Sequence, residues 1–221
     1  STSERNHELA RECDQYDPLF DHLILKDNTK SDKENVIGVY RLLRGEIAKQ
    51  SNGFYSASEF DLSQLLNSDR RILELGRSCI DQQHRGGIAL HMMWNGLADY
   101  VYDHDIEVLF GSASFMGRDV DAMQQALSFL HYNHLAPEDL RVVAQSENRL
   151  DMDVLPAERV DKMTALKQMP PLIKAYLRLG GFVGDGAFID HEFNTIDVCL
   201  LMDTARMSAK TKAKYESDKA R

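Results

Sequence analysis

The order of strand-like and helix-like segments is the feature that most restricts how this chain can fold. Segments with strand periodicity come first, then an amphipathic helix, a strand, a second amphipathic helix, an irregular stretch, a third helix and two final strands. This order predicts one mixed sheet with helices on both faces, an α/β (α+β) architecture. The predicted strands are residues 21–27, 36–43, 71–80, 107–115, 186–192 and 197–202, with a strand-like aromatic segment at 54–61.

The predicted helices have apolar stripes or recognisable ends. The first covers residues 88–102, and the second follows Asp119, which we expect to be its N-cap. The third, residues 172–179, begins after a proline pair and ends at a glycine pair. The polar residues 138–167 are predicted to be irregular.

Composition and charge exclude several classes of protein. With 43% apolar residues, the 221-residue chain can bury a core, which excludes wholesale disorder. The net charge of −9 argues against a nucleic acid partner, because nucleic-acid binding needs a basic surface. No apolar run approaches the ~18–20 residues of a membrane span, and the first residues lack the layout of a signal peptide.

Cysteine usage and the end of the chain give two further expectations. Cys13, Cys79 and Cys199 are odd in number and far apart, which indicates reduced thiols and a cytoplasmic protein. We expect one domain over residues 1–207 and a charged C-terminal tail over residues 208–221.

A glycine pair lies where a predicted strand turns into the first helix. Gly86 and Gly87 free backbone N–H groups at a helix N-terminus, where the helix dipole favours phosphate. Arg85 adds a charge that can fork onto phosphate oxygens. These residues predict a phosphate-binding loop, and the alternative is a tight turn with a solvent-exposed arginine.

Several motifs resemble those of one enzyme family. The segment Gln83-His-Arg-Gly-Gly-Ile88 is similar to a degenerate phosphate loop of the GCN5-related N-acetyltransferase superfamily, with Ile88 where that loop has a small residue. Longer segments resemble the bacterial L-ornithine Nα-acyltransferases and follow one another in the order of that family. They are Val36-Ile-Gly-Val-Tyr-Arg-Leu-Leu-Arg44, Gly53-Phe-Tyr-Ser-Ala-Ser-Glu-Phe-Asp61, Leu73-Glu-Leu-Gly-Arg-Ser-Cys79, Leu109-Phe-Gly-Ser-Ala-Ser-Phe115, Leu135-Ala-Pro-Glu-Asp-Leu-Arg141 and Pro170-Pro-Leu-Ile-Lys-Ala-Tyr-Leu-Arg-Leu-Gly180.

The resemblance implies a GCN5-related N-acetyltransferase-like fold and a specific reaction. Enzymes of that family move a 3-hydroxyacyl group from acyl carrier protein to the α-amine of L-ornithine, which gives lyso-ornithine lipid. No bound cofactor is implied, because the donor is the acyl-phosphopantetheine of acyl carrier protein, whose single phosphodiester would explain Ile88. The lipid-like product implies peripheral contact with the inner membrane. The family's fold begins with a strand and two helices, and since only residues 4–16 precede the first predicted strand, we expect part of that portion to be missing.

Two charged residues of one predicted strand are the candidates for catalysis. An amine attacks a thioester only when it is unprotonated, so the site needs a base. Glu74 lies within an apolar strand, where a carboxylate is costly unless it is paired or functional. We predict that Glu74 is the base, directly or through water, and the alternative is an ion pair with an arginine of the same sheet. Arg77 would face the other way in a regular strand, but a bulge near Gly76 would bring it into the same pocket. This Glu-x-x-Arg pattern is also similar to a strand of the acyl-homoserine-lactone synthases.

Other small and polar residues are predicted to contact the donor. A backbone N–H near Ser78 and Cys79 would bind the thioester oxyanion, and Ser112 would allow close approach of pantetheine. The side chain of Cys79 is predicted to be a buried strand thiol, and the alternative is an acyl-cysteine intermediate. The phosphate would lie on Arg85, Gly86 and Gly87.

Acidic residues near the first strand are predicted to contact the acceptor. Ornithine is cationic, and the resemblance favours Asp17, Asp21 and His22, while the alternative is that these are solvating charges at a strand edge. A second polar set near the last strands consists of Asp185, Asp190, His191, Asn194 and Asp197, and the alternative is that Asn194-Thr195 is only a turn. We expect no metal, because the histidine pair at positions 131 and 134 has no third ligand in the sequence.

Two other functions remain open from the sequence. One is a synthase that acylates another amine, giving other N-acyl amino acids or an acyl-homoserine-type signal. The other is a non-catalytic module that binds acyl carrier protein.

Overall fold

The structure is a computed structural model that describes residues 13–85 and 87–206. The predicted tail at 208–221 and the predicted phosphate contact Gly86 lie outside these residues. Within them, no helix combines the length and the apolarity that crossing a bilayer requires.

Eight strands of the described chain form one mixed sheet. Its order is β1-β2-β4-β5-β10-β9-β7, and β8 pairs with β10 beside this path. β4 and β5 are parallel, and the other pairs are antiparallel. The strands are β1 (Asp21–Lys26), β2 (Val36–Arg44), β3 (Phe60–Asp61), β4 (Ile72–Ile80), β5 (Val108–Met116), β6 (Val143–Ala144), β7 (Arg149–Leu150), β8 (Phe182–Val183), β9 (Ala187–Asp190) and β10 (Thr195–Asp203).

Helices cover the two faces of the sheet unequally. The helical face, which carries Leu42, Leu73 and Leu75, packs against the longer helices, while the loop face, which carries Leu43, Ile72 and Phe110, packs against short helices and loops. Helices therefore lie on both faces, as predicted, but only short ones reach the loop face. The helices are α1 (Gly45–Lys49) and α2 (Ser63–Leu66) on the loop face, and α3 (Ala89–Asp103), α4 (Val120–His134), α5 (Lys162–Gln168) and α6 (Pro171–Arg178) on the helical face.

Two sequence predictions need correction. The aromatic segment predicted to be strand-like forms a 3₁₀ helix at Tyr55–Ser58, and its short β3 pairs with β6 outside the main sheet. Glu74 explains this, since its carboxylate binds the backbone N–H groups of Tyr55 and Ser56. The stretch predicted to be irregular contains α5, whose N-cap Asp161 accepts a hydrogen bond from the N–H of Thr164.

A split between two parallel strands is the feature that positions the site. β4 and β5 pair only from Ile72 to Glu74, opposite Val108 to Phe110. Beyond this point the strands have no paired residues and the sheet opens. We call the point where the two strands separate, at Glu74 and Gly111, the vertex of the split. A Cβ on Gly111 would lie 2.2 Å from the carbonyl oxygen of Leu75, so only glycine fits there.

Candidate active site

Glu74 lies at the vertex of the split and is almost fully buried, with 1% exposure. Its two carboxylate oxygens accept hydrogen bonds from the N–H groups of Tyr55 at 3.0 Å and Ser56 at 2.6 Å. Burial raises the pKa of Glu74, and the contacts with Ser56 and Tyr55 and the charge of Arg41 oppose this rise. Among the described residues, no arginine forms a direct ion pair with Glu74.

A bulge in β4 brings Arg77 to the same place. Gly76 pairs with Arg41 and Cys79 with Val39, so one extra residue is inserted in β4, and Arg77 has a φ of 49°. Its guanidinium lies 5.0 Å from the ring centroid of Tyr55, whose N–H binds Glu74. The predicted bulge is therefore present, and Glu74 and Arg77 contact the same tyrosine, one at its backbone and the other at its ring.

An ion network that the sequence analysis did not include lies beside Arg77. Arg41, 5% exposed, donates from Nη1 to Asp14 at 2.9 Å and to Asp17 at 2.7 Å. Arg77 approaches the same Asp14 carboxylate at 3.7 Å. Burial alone would raise the pKa of Asp17, but the backbone of Asp14 and the side chain of Arg41 outweigh it and lower this pKa. An arginine inside the apolar strand β2 was the available signal for Arg41.

The other two predicted acceptor contacts are placed differently from each other. His22 pairs with Arg41 across the strands, and its Nε2 lies 3.1 Å from the carbonyl oxygen of Asp17. Asp21 pairs with Leu42, which puts it on the helical face, where Tyr100 donates a hydrogen bond to it. The structure thus joins Asp17 and His22 to the site but places Asp21 across the sheet from Glu74.

The predicted donor contacts follow the bulge towards α3. Ser78 has no partner residue on β2 in the strand register. The side chain of Cys79 is exposed, so the prediction of a buried thiol is wrong at this position, and the buried cysteine is Cys199. A strand face that was expected to be covered is open here because the bulge shifts the alternation of β4.

The predicted phosphate loop leads into an uncapped helix. Arg85 is exposed, and its Nε donates to the carbonyl oxygen of Ile80 at 2.9 Å, a bond that does not use its two Nη groups. No side chain caps the N-terminus of α3, which begins two residues after Gly87. The described part of the loop therefore combines a cation with a helix N-terminus.

Ser112 connects the vertex to an acidic cluster. Its hydroxyl donates to Oε2 of Glu59 at 2.5 Å and lies 3.4 Å from the hydroxyl of Ser56. Burial raises the pKa of Glu59 to about 7, partly offset by Ser112 and reinforced by Asp197, Asp190 and Glu74. Carboxylate oxygens of Glu59, Asp190 and Asp197 lie within 4.8 Å of one another, and we call these three residues the acidic cluster.

Two cavities lie on the helical side of the split. A cavity of about 20 Å³ is bordered by Leu75, Gly111 and Ser112, and by Tyr40 and Tyr176, whose hydroxyls are 2.6 Å apart. A groove of about 730 Å³ adjoins it and shares three lining residues with it. They are Leu109, Tyr176 and Met202. The tyrosine pair was not found in the sequence analysis, because its members come from β2 and α6.

The structure is similar to solved acyltransferases only at low sequence identity. A coenzyme A-dependent acyl-homoserine lactone synthase matches with a TM-score of 0.48 and 13% identity, over 93% of this chain and 74% of that one. An aminoglycoside 6′-N-acetyltransferase complexed with coenzyme A matches with a TM-score of 0.42 and 9% identity, over 92% of this chain and 79% of the other.

Sequence comparison identifies the family. Residues 1–95 match the acetyltransferase (GNAT) domain, in agreement with the predicted fold. The L-ornithine N(alpha)-acyltransferase of Rhodobacter capsulatus is 55% identical over 212 residues, which are 95% of this chain and 81% of that protein. The enzyme of the same name from Brucella abortus is 40% identical over 94% of this chain and 75% of its own length. This chain therefore belongs to the L-ornithine N(alpha)-acyltransferase family of GNAT-fold acyltransferases.

Proposed function

We propose that this chain transfers a 3-hydroxyacyl group from acyl carrier protein to the α-amine of L-ornithine, which yields lyso-ornithine lipid. The observation that carries the proposal is the position of Glu74 and Arg77 at the opening between β4 and β5. A thioester lying in this opening would meet a carboxylate, a guanidinium and an irregular backbone. The family relation to L-ornithine N(alpha)-acyltransferases supports ornithine as the acceptor.

Glu74 is the proposed base. It takes a proton from the α-ammonium, directly or through water, and the free amine forms a C–N bond with the thioester carbon. The oxyanion is stabilised by a backbone N–H of the bulged segment at Ser78 and Cys79. Glu74 passes this first proton to solvent and takes the second proton from the nitrogen as the C–S bond breaks. The pantetheine thiolate takes up that second proton, so the products are an amide, a thiol and one proton released to solvent.

The donor is proposed to enter along the split from the N-terminus of α3. Arg85 and Gly87 would bind the phosphodiester of phosphopantetheine there, and Ser112 would lie beside the thioester end. No bound cofactor is needed, because the carrier protein brings the pantetheine with it.

The acyl chain is proposed to occupy the apolar groove behind the vertex. The groove of about 730 Å³ is lined by Trp94, Leu97 and Leu109, and it adjoins the cavity at Ser112. Its size suits a long alkyl chain, since ligand pockets commonly enclose about 300–1,000 Å³.

Asp17 and His22 are proposed to shape the acceptor side. Asp17 holds Arg41 in place, and the shared Asp14 carboxylate connects this network with Arg77. In this arrangement the ion network orients Arg77 towards the α-carboxylate of the amino acid.

We further propose that the protein is cytoplasmic and contacts the inner membrane peripherally. Ile88 and Met92, one helical turn apart at the beginning of α3, are 71% and 48% exposed. Apolar groups exposed together suit a membrane interface. Co-sedimentation with phospholipid vesicles tests this, and protein that stays in the supernatant would count against it.

Mass spectrometry of reaction products tests the proposed reaction. The protein is mixed with 3-hydroxyacyl-acyl carrier protein and a panel of amino acids that includes ornithine, lysine and glycine. We expect an amide with ornithine only. An amide with a different amino acid would retain the acyl transfer and reject the acceptor, and carrier binding without any amide would favour a non-catalytic binding module.

A further inference from the structure

The acidic cluster lies on the loop face and has no counter-charge of its own. Glu59 and Asp197 are each 4% exposed, and Asp190 comes from the neighbouring strand β9. Within residues 13–85 and 87–206, no lysine, arginine or histidine forms an ion pair with any of the three carboxylates. Burying several carboxylates together without a cation is costly, because each charge loses its hydration.

Buried acceptor atoms beside the cluster also lack partners. Oδ1 of Asp197 and Oγ1 of Thr195 have no partner at hydrogen-bond geometry in the described part of the chain. The hydroxyls of Ser114 and Thr195 lie near enough to oppose the rise that burial causes in the pKa of Asp197. Thr195 is 5% exposed and pairs with Asp190 across β9 and β10, so it lies on the same face as Asp197, two residues further along. Unpartnered buried oxygens next to buried carboxylates point to a ligand that is cationic and donates hydrogen bonds.

We propose that the acidic cluster, together with Thr195, binds the side-chain ammonium of the acceptor amino acid. An alkylammonium group carries one positive charge and three N–H donors, which matches three carboxylates and a hydroxyl. This inference rests on the proposed function, and it adds the subsite that would select a diamino acid over a neutral one.

The position of the cluster relative to Glu74 separates this subsite from the reacting amine. Glu74 binds the N–H of Ser56, the hydroxyl of Ser56 lies 3.4 Å from that of Ser112, and Ser112 binds Glu59. Two serine hydroxyls thus lie between the proposed base and the acidic cluster. An amino acid whose α-amine reaches Glu74 would have to extend its side chain to reach the cluster.

Arg77 and Tyr55 complete the fit to an amino acid. Tyr55 lies under the guanidinium of Arg77, and the negative charges of Glu59 and Asp190 act on its hydroxyl. Cationic and anionic groups therefore border the same aromatic ring. Ornithine presents the complementary arrangement, with a carboxylate at one end and an ammonium at the other.

Replacing Asp197→Asn tests the inference, because asparagine keeps the size of aspartate and removes its charge. Kinetics are measured with ornithine and with norvaline, which has the same carbon skeleton without the side-chain amine. We expect the KM for ornithine to rise about ten- to a hundredfold and kcat to change less. The kinetics with norvaline should not change, so the preference for ornithine should fall by the same factor.

Control variants and a binding measurement make each outcome decisive. Asp153→Asn removes an exposed carboxylate elsewhere and should leave the kinetics with both substrates unchanged. If Asp197→Asn does not fold, Thr195→Val replaces it as the test variant, and it should weaken ornithine binding moderately. Equal effects on ornithine and norvaline, or no effect on either, would overturn the subsite. Loss of ornithine binding on treatment with EDTA would assign the cluster to a metal ion instead. Calorimetric titration with ornithine alone decides the question even if the wild-type protein forms no amide, in which case it is the proposed function that fails.

Discussion

Individual charged residues account for most of what the sequence revealed about the site. Glu74 and Arg77 were recognisable because charges are rare in an apolar strand, and the glycine between them suggested the bulge. Arg41 is likewise a charged residue inside an apolar strand, β2, but its segment was used only to recognise the family, so Arg41 was not predicted to belong to the site. The structure joins it to Arg77 through the carboxylate of Asp14, and it also binds Asp17.

The acidic cluster was predicted only in part at this scale, since the second polar set included Asp190 and Asp197 but not Glu59. Glu59 comes from a segment whose alternating aromatic residues predicted a strand, and Asp197 reaches it only because β10 pairs with β5. In that register Asp197 lies opposite Ser114, next to the Ser112 that binds Glu59. Such long-range pairing depends on the whole sheet, so local patterns do not show which carboxylates meet.

Glu59 should make the stability of the ligand-free protein depend on pH. Its pKa is raised to about 7 from the model-peptide value of 4.5, so the folded state keeps the proton to higher pH than the unfolded state does. The free energy of unfolding should therefore fall as the pH rises from about 4.5 to 7. Glu59→Gln removes this loss and should be more stable than wild type at pH 8 by roughly 2–3 kcal/mol.

Thermal or urea unfolding at pH 5 and pH 8 measures this difference. The gain from Glu59→Gln should nearly vanish at pH 5, where the glutamate is protonated in the folded state. Glu138→Gln, at an exposed glutamate, is the control and should leave the stability at pH 8 close to that of wild type. A Glu59→Gln variant that is equally or less stable at pH 8 would contradict a raised pKa.

At the scale of elements, strands were more predictable than their departures from regularity. Apolar runs and alternation gave the positions of β1, β2, β4, β5, β9 and β10 to within a few residues, because these strands pack apolar side chains on one or both faces of the sheet. The segment before α2 had the same alternation, but it forms a 3₁₀ helix at Tyr55–Ser58 because the buried carboxylate of Glu74 binds its backbone N–H groups. A tertiary contact thus overrides the local pattern.

The split between β4 and β5 depends on one glycine. A Cβ at position 111 would overlap the carbonyl oxygen of Leu75 at 2.2 Å, and backbone atoms cannot move away as a flexible side chain can. Gly111→Ala should force the two strands apart and lower the free energy of unfolding by about 3 kcal/mol or more. Chemical denaturation measures the loss.

Gly87→Ala is the matched comparison for this prediction. A Cβ there would meet only the carbonyl oxygen of His84 at 3.9 Å, so stability should remain close to that of wild type. If Gly111→Ala were as stable as Gly87→Ala, the strands would not approach each other as closely as the structure describes.

At the scale of the whole molecule, the two substrates are proposed to approach from different sides. The donor loop lies at the carboxyl end of β4, beside α3. The acidic cluster lies on the loop face, where β9 and β10 provide two of its three residues. The vertex at Glu74 is where the two approaches meet. The donor approach was predicted in part, because its loop follows β4 directly along the chain. The acceptor approach was not, because it combines Glu59 with residues of β9 and β10 that are distant in sequence.

The donor side can be tested with substrates that differ only in their phosphate. Arg85→Ala should raise the KM for 3-hydroxyacyl-acyl carrier protein about tenfold, because a charge-assisted contact to the phosphodiester is lost. With 3-hydroxyacyl-pantetheine, which has no phosphate, the variant should behave as wild type. Arg159→Ala removes an exposed arginine that borders neither the donor loop nor the groove and is the control. An equal effect of Arg85→Ala on both donors would rule out the phosphate contact.

The central claim is that Glu74 activates ornithine at the vertex of the split. Glutamine at this position also disturbs the turn at Tyr55 and Ser56 that the carboxylate binds. Ser58→Ala is the control for this effect, because it removes a hydrogen bond of the same turn, from Ser58 to the carbonyl oxygen of Tyr55. We would measure kcat for ornithine acylation by wild type, Glu74→Gln and Ser58→Ala, together with the binding of acyl carrier protein. Glu74→Gln should lower kcat about 10²–10⁴-fold and leave carrier binding intact, while Ser58→Ala stays near wild type. A Glu74→Gln variant that turns over at a rate close to that of Ser58→Ala would contradict the claim.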